Sequence, residues 1–256
     1  MSYFATSARS AVGLVRSGNE DSALASSRLI AVADGMGGHA AGEVASKIAI
    51  RTLAEISSIF TNPEIDAESA DDIFLNSAQE IDQNLKAAVN DSPELSGMGT
   101  TLTSLFLRDN SVALLHIGDS RAYRLRGNTF EQLSVDHTVI QELLNQGAIS
   151  ESDIATHPQR SVLTQVLMGE GSLELPLPVF EGKVKDRYLV CSDGLSSVLS
   201  EKEIKSLIKG KGRDEAVNAL IDATYINGAP DNVTVVIADI VEEAQPNITE
   251  KIGAAQ

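Results

Sequence analysis

The chain is organised around one stretch, which reads Leu29-Ile30-Ala31-Val32-Ala33-Asp34-Gly35-Met36-Gly37-Gly38-His39. Its first five residues are apolar or β-branched, as in a buried strand. Three glycines follow within residues 35–38, and such a turn lets the backbone approach an ion or a phosphate closely. An ordinary strand-to-helix connection has the same composition. The stretch therefore predicts a strand that delivers Asp34 to a tight turn before a helix.

Two other apolar runs end in the same way. Leu114–Ile117 leads to Asp119, and Tyr188–Cys191 leads to Asp193, while Asp231 stands just before the apolar run 233–241. A buried strand holds the residue at its end rigidly. Asp followed by a small residue also opens common turns, so each strand end alone is consistent with turn chemistry. If all four ends meet, however, their carboxylates need cations or protons in the same small volume.

The side chains available as ligands limit which metal ions the site could bind. There are four His without paired zinc-ligand spacing and a single cysteine, Cys191. A set of oxygen ligands favours Mg²⁺, Mn²⁺ or Ca²⁺, and no EF-hand loop is present. The sequence therefore predicts Mg²⁺ or Mn²⁺. Either ion lowers the pKa of a bound water.

Hydrophobic spacing predicts five helices and two hairpins. The helices cover about 41–60, about 70–90 with a capping box from Ser69 to Asp72, 136–147 with Asp136 as N-cap, about 200–210 with a capping box from Ser200 to Glu203, and about 216–228. The strands are 29–33, 101–107, 112–117, 121–126, 129–133, 188–191 and 233–241. Hairpins across 108–111 and 127–128 imply antiparallel pairing. Because the helices come in consecutive pairs, we expect antiparallel sheets with helices packed outside.

Composition limits the classes of function. The chain has 256 residues and a net charge of −16, with 43% hydrophobic residues. Such a charge argues against nucleic acid and anionic membranes as partners. No run suggests a signal peptide or a transmembrane span, so we expect a cytoplasmic protein. We expect one domain over 5–241, followed by a polar and flexible tail over 242–256.

Seven short motifs occur in an order that resembles a known family. They are 16–21 (Arg-Ser-Gly-Asn-Glu-Asp), 34–39, 99–101 (Gly-Thr-Thr), 118–121 (Gly-Asp-Ser-Arg), 136–138 (Asp-His-Thr), 192–194 (Ser-Asp-Gly) and 231–234 (Asp-Asn-Val-Thr). Over about residues 8–241 the chain resembles the metal-dependent Ser/Thr protein phosphatases (type 2C, or PPM), in their compact bacterial form. The resemblance implies an α+β fold: a four-layer α-β-β-α sandwich of two stacked antiparallel sheets flanked by helix pairs.

The resemblance also implies a centre of two or three Mg²⁺ or Mn²⁺ ions. Asp34 would bridge two metals, and the carbonyl of Gly35 would bind the first. Asp193 and Asp231 would bind the second, and Glu20 would act through metal-bound water.

A third metal occurs in bacterial members of this family. The resemblance implies that Asp119 would hold it together with Asp193. Residues 146–165 correspond to the family's variable flap, and Ser161 would lie near the third metal.

The implied reaction is hydrolysis of phosphoserine or phosphothreonine. A hydroxide that bridges the metals would attack phosphorus in line, and Arg16 would bind the phosphate through its fork of donors. Met36 stands where many eukaryotic members have a histidine, and a thioether cannot donate a proton. The general acid could be His39, a metal-bound water or bulk solvent.

Partners and alternatives follow from this resemblance. It implies phosphorylated protein substrates, a cognate Ser/Thr kinase and a monomer. A non-catalytic regulatory relative is the first alternative, although the acid set and Arg16 are complete. An enzyme that forms an aspartyl-phosphate is the second. Among the remaining residues, we expect Cys191 to be buried, His116 to be a hydrogen-bonded sheet residue and His137 to support a helix start.

Overall fold

The computed structural model describes residues 1–37, 41–61, 65–150, 153–154, 157–171, 175–246 and 248–256. His39 lies outside these residues. Within them the helices are α1 Ala41–Ser57, α2 Ala67–Asp91, α3 Val139–Asn145, α4 Asp193–Ser196, α5 Glu201–Ile208 and α6 Arg213–Ile226, with short 3₁₀ turns at Ile59–Thr61 and Pro93–Leu95.

The strands form two antiparallel sheets. Their bounds are β1 Tyr3–Ala11, β2 Asp21–Ala25, β3 Leu29–Met36, β4 Gly99–Thr100, β5 Leu102–Arg108, β6 Ser111–Ile117, β7 Arg121–Arg126, β8 Thr129–Gln132, β9 Val179–Glu181, β10 Arg187–Cys191, β11 Val233–Val241 and β12 Glu250–Gly253. One sheet has the order β1-β11-β10-β7-β8, and the other has the order β12-β2-β3-β5-β6-β9, with β4 paired to β3. Both predicted hairpins, β5-β6 and β7-β8, are present.

Strand alternation explains why the sheets stack. In β3, Ile30 and Val32 are buried in a core shared with strands of the other sheet. Leu29, Ala31 and Ala33 are buried against α1 and α2. Successive side chains of a strand point to opposite faces, so a strand that is apolar at every position must be covered on both sides.

The other sheet repeats this arrangement with a different helix pair. Tyr188 and Val190 of β10 enter the core between the sheets, whereas Leu189 and Cys191 join the core beneath α5 and α6. The predicted burial of Cys191 is confirmed. Three cores separate four layers, which confirms the predicted α-β-β-α sandwich.

Two helix starts differ from the prediction. The N-cap of α2 is Asp66 and not Ser69, because the Asp66 carboxylate accepts a hydrogen bond of 2.9 Å from the Ser69 amide. The N-cap of α3 is Thr138 and not Asp136. Arg121 holds the Asp136 carboxylate through both oxygens, at 2.7 to 3.0 Å, so this acid is not available as a cap. The predicted capping box at the start of α5 is present.

The expectation of a flexible tail over 242–256 is corrected by β12. This strand pairs with β2 at the edge of its sheet, and Ile252 and Ala255 are buried. The apolar positions of the tail are too few to show helix or strand spacing, but the open edge of β2 supplies partners for its backbone. The first strand, β1, was also not predicted, although it pairs with β11 over nine residue pairs.

In the described part of the chain, no helix combines the length and the apolar character needed to cross a membrane.

Candidate metal centre

The four predicted aspartates approach one another at one end of the sandwich. Asp34 lies near the end of β3, Asp193 begins α4 directly after β10, and Asp231 precedes β11. Burial raises the pKa of the Asp34 carboxyl well above its usual range, and the charges of Asp21, Asp193, Asp119 and Asp231 raise it further. These side chains are therefore close enough to act on one another electrostatically.

Neighbouring threonines fix the backbone of Asp34. The carbonyl of Asp34 accepts hydrogen bonds from the Thr101 amide at 2.9 Å and from Thr100 Oγ1 at 3.0 Å. The amide of Asp34 donates to Thr101 Oγ1 at 3.0 Å. The Gly-Thr-Thr motif thus holds the strand end that carries Asp34.

Gly35 lies where two chain segments approach without space for a side chain. A Cβ at this position would overlap the carbonyl of Gly42 in α1 and would stand 2.7 Å from the carbonyl of Glu20. The Gly35 amide donates to that Glu20 carbonyl at 3.1 Å. Glycine at this position is therefore a packing requirement, and it brings Glu20 next to the turn.

Asp21 is a further acid that the sequence reasoning did not assign. It is fully buried at the start of β2, opposite Asp34 in the ladder. Its Oδ2 accepts a hydrogen bond from Ser192 Oγ at 2.8 Å, while its Oδ1 has no hydrogen-bond partner among the described residues. Burial raises the pKa of Asp21 to about 7. Its place in the 16–21 motif, directly after Glu20, could have pointed to it.

Asp119 and Asp193 show the same effect of burial. The pKa of Asp119 is raised to about 7, first by burial and then by the charges of Asp193 and Asp136. The pKa of Asp193 is also raised, by burial and by the charge of Asp231. Arg121, which pairs with Asp136, counteracts both shifts in part. The fold therefore keeps several carboxylates in an environment that disfavours their ionised forms.

Arg16 and Asp231 form an ion pair at the rim of this cluster. Arg16 Nη2 lies 2.7 Å from Asp231 Oδ2, and the two side chains are 52% and 33% exposed. Burial raises the pKa of Glu20, whereas the charge of Arg16 lowers it. The structure thus places the predicted phosphate-binding arginine against one of the predicted metal ligands.

The residues present suit a divalent metal by their chemistry. The donor set consists of oxygen atoms, the carboxylates repel one another, and one buried oxygen of Asp21 has no partner in the part of the chain that the structure describes. Among the described residues, no three His, Cys, Asp or Glu side chains are grouped tightly enough to hold an ion as they stand. Exposed ion pairs are weak, so Asp231 can leave Arg16 at little cost.

The segment that carries Ser161 is attached to the loop of Asp119. Thr164 donates its amide to the His137 carbonyl at 2.9 Å, and the His137 amide donates to the Gly118 carbonyl at 2.8 Å. Ser161 itself is exposed in a turn. The Gly118 amide donates to the ring of His137, so this histidine joins the Asp119 loop to the segment before α3.

His116 is a hydrogen-bonded sheet residue, as predicted. Its ring nitrogens lie 2.9 Å from Thr103 Oγ1 and 3.0 Å from the carbonyl of Val135. Its ring packs against that of His137, with 4.8 Å between the centroids. Burial lowers the pKa of His116 to about 4, so the imidazole stays neutral near pH 7.

The sequence matches known proteins over most of its length. The model of the family described as protein phosphatase 2C matches residues 18–218. The Ser/Thr protein phosphatase PstP of Mycobacterium tuberculosis is 43% identical over 238 residues, which are 92% of this chain and 45% of that protein. The chain thus spans about half the length of this relative. The Ser/Thr phosphatase stp of Listeria welshimeri is 35% identical, over 82% of this chain and 84% of its own length.

Solved structures agree with the fold. The M. tuberculosis phosphatase PstP/Ppp superposes with a TM-score of 0.85 at 41% identity, and the match covers 93% of this chain and 98% of that one. The catalytic domain of PstP in complex with two manganese ions superposes with a TM-score of 0.84 at 39% identity. That match covers 94% of this chain and 100% of the other.

Proposed function

The chain belongs to the protein phosphatase 2C family, and on that premise we propose that it is a metal-dependent phosphatase of phosphoserine and phosphothreonine in proteins. The observation that carries the proposal is the cluster of acids around Asp34, whose charges act on one another in a buried site. The PstP domain with two manganese ions supports a metal centre of this kind. The roles below are parts of the same proposal.

The acids would hold two or three Mg²⁺ or Mn²⁺ ions. Asp34, Asp193 and Asp231 would be direct ligands, together with the carbonyl of Gly35, and Glu20 would act through water. Asp119, with Ser161 nearby, would serve a third ion. When bound, such ions supply positive charge to the phosphoryl group and an activated water.

Arg16 would bind the phosphoryl oxygens of the substrate. A guanidinium offers two parallel donors to a phosphate. Its partner in the structure is Asp231, so binding of a phosphate exchanges one anionic partner for another. Because this pair is half exposed, the exchange costs about 1 kcal/mol or less.

The leaving alkoxide needs a proton from a group other than Met36, which has none to donate. His39 remains a candidate donor, with water as the alternative. We further propose that the substrates are phosphorylated proteins, that a Ser/Thr kinase acts opposite this enzyme, and that the chain works as a cytoplasmic monomer.

Phosphate release from p-nitrophenyl phosphate and from a phosphothreonine peptide tests the proposal. We expect activity with Mn²⁺ and loss with EDTA. Asp34→Asn and Asp193→Asn should each lower kcat by about a hundredfold or more, as expected when charge stabilisation at the reacting phosphoryl group is lost. The control Asp72→Asn, on the exposed face of α2, should keep full activity. Full activity in EDTA would contradict metal dependence.

Metal binding without hydrolysis would instead indicate a non-catalytic relative. Trapping of a phosphorylated protein intermediate would indicate the aspartyl-phosphate route. Both results are distinct from the expected one, in which phosphate is released in a metal-dependent manner and no phosphoenzyme is found.

A further inference from the structure

Two aliphatic side chains stand in solvent directly before Arg16. Leu14 is 63% exposed and Val15 is 72% exposed. Single exposed aliphatic residues are ordinary in proteins, so the place of these two matters more than their exposure. They occupy the same loop as the arginine proposed to bind the phosphoryl group, and they are called the aliphatic rim below.

The backbone of this loop is fixed from outside. The Leu14 amide donates to the carbonyl of Ala229 at 2.9 Å. The side-chain amide of Asn232 donates to the carbonyls of Val12 and Gly18, at 2.8 Å each. Asn232 therefore closes the loop at both ends. The hydrogen bonds of Asn232 and of the Leu14 amide fix the backbone that carries the aliphatic rim.

The loop is also seated against the segment that carries Asp231. Gly13 has a φ of +83°, and a Cβ there would overlap the carbonyl of Asp231 and stand 2.8 Å from that of Ala229. The aliphatic rim therefore has a fixed position relative to Asp231 and its partner Arg16.

The Cα spacing of the loop can be compared with that of a bound peptide substrate. Consecutive Cα atoms are about 3.8 Å apart in the protein and in any bound peptide. Leu14 and Val15 lie within two residues of Arg16, so their Cα atoms are within about 8 Å of the Arg16 Cα. A bound peptide covers the same distance within two residues of its phosphorylated one.

Charge decides which neighbours of the phosphoresidue suit this surface. The charges of Asp231, Glu20 and Asp34 all act on Arg16, and the whole chain carries −16. Two or three divalent ions would offset the carboxylates of the site but would leave the whole chain negative, so an acidic residue beside the phosphate would still be repelled. An aliphatic residue is not repelled, and it gains from burial against the rim.

We infer that the aliphatic rim binds an aliphatic side chain of the substrate, within two positions of the phosphorylated Ser or Thr. This inference rests on the proposed phosphatase function and names the sequence class that the same site prefers. The rim selects substrates by apolar contact, while Arg16 and the acid cluster act on the phosphate.

A set of phosphothreonine peptides of equal charge tests this preference. Leu replaces Ser at each of the two positions before and after the phosphothreonine, and kcat/KM is measured with Mn²⁺. We expect Leu in at least one position to raise kcat/KM about tenfold, the gain from a partly buried aliphatic contact.

The double variant Leu14→Ser/Val15→Ser identifies the surface responsible. Its kcat/KM for the leucine peptide should fall about tenfold relative to that for the serine peptide, so that the preference disappears. The matched control is Val179→Ser, which removes a 49% exposed valine on β9. This strand pairs with the end of β6 opposite to Asp119, so the control should keep the preference.

The outcomes separate the inference from the proposed function. Hydrolysis of p-nitrophenyl phosphate by wild type without any preference for Leu would overturn the inference alone. A double variant that keeps the preference, or that loses activity equally on both peptides, would overturn it as well. Failure of wild type to hydrolyse any of these substrates with Mn²⁺ would overturn both.

Discussion

Asp21 shows how the fold tolerates a buried carboxylate. Ser192 Oγ donates to Asp21 Oδ2 at 2.8 Å, and the same hydroxyl oxygen accepts from the Thr234 amide at 3.0 Å. The two strands β2 and β11 are thereby connected through one serine. Burying an ionised carboxylate without a partner is strongly unfavourable, and protonation or a cation offsets that cost for the free oxygen of Asp21.

His116 allows a test of burial by pH. Its folded pKa is about 4, below the ordinary value of 6.5, so the unfolded state binds a proton between these pH values and the folded state does not. The stability that the neutral ring contributes is therefore present above pH 6.5 and lost as pH falls to 4. This difference between the folded and the unfolded pKa corresponds to about 3 kcal/mol.

Urea unfolding of wild type and His116→Gln at several pH values measures this effect. We expect the stability advantage of wild type over the variant to be constant above pH 7 and to shrink by about 3 kcal/mol between pH 7 and pH 4. An advantage that grows as the pH falls would contradict a neutral buried ring.

Helix α2 is connected to the strand end that carries Asp34 through a loop. Asp82 on α2 is buried, and its two oxygens accept hydrogen bonds from the amides of Gly169 and Gly171, at 2.7 Å each. Leu167, just before this turn, exchanges two hydrogen bonds of 3.0 Å with Thr100. Thr100 in turn donates to the Asp34 carbonyl, so α2 supports the strand end that carries the central acid.

Replacement of Asp82 by Ala should remove this support. The amides of Gly169 and Gly171 would lose their partners, which we expect to cost about 2 kcal/mol in the free energy of unfolding. Chemical denaturation measures the change, and Asp72→Ala on the exposed face of the same helix is the control. Equal stability of the two variants would show that the hydrogen bonds from Gly169 and Gly171 to Asp82 contribute nothing.

The sandwich must keep its strand ends together although the carboxylates at these ends repel one another. Asp21 and Asp119 have folded pKa values of about 7, above the ordinary aspartate value of 3.8. The stability that their protonated forms contribute is present below pH 4 and is lost as pH rises through 7. Three separate apolar cores supply the opposing stabilisation, so we expect the fold to persist without metal.

Thermal unfolding with and without Mn²⁺ at two pH values tests this balance. Mn²⁺ should raise the Tm, with a gain of about 2.7 kcal/mol at a concentration of 100 times Kd. The rise should be larger at pH 8 than at pH 5, since at pH 5 the ion has to displace protons from Asp21 and Asp119. Asp34→Asn should show a smaller rise at pH 8. A larger rise at pH 5 would contradict the predicted competition with protons.

Local pattern was sufficient for much of the fold and for the principal acids. The continuous apolar run from Leu29 to Ala33 predicted a buried strand, and the Ser200–Glu203 capping box marked the start of α5 correctly. Asp34, Asp119, Asp193 and Asp231 were found because each stands at the end or start of an apolar run. These features depend on residues close in sequence, and the backbone periods of 2 and 3.6 residues make them visible.

Contacts between segments distant in sequence could be identified only in the folded chain. β1 pairs with β11 more than two hundred residues away, and β12 with β2, although neither β1 nor β12 has a strong pattern of its own. Asp136 has the sequence of a helix cap but binds Arg121, and Asp21 became part of the acid cluster only through its place opposite Asp34. Hydrogen bonds and burial depend on which segments meet in space, and a one-dimensional pattern carries the preferences of a segment but not the identity of its partner.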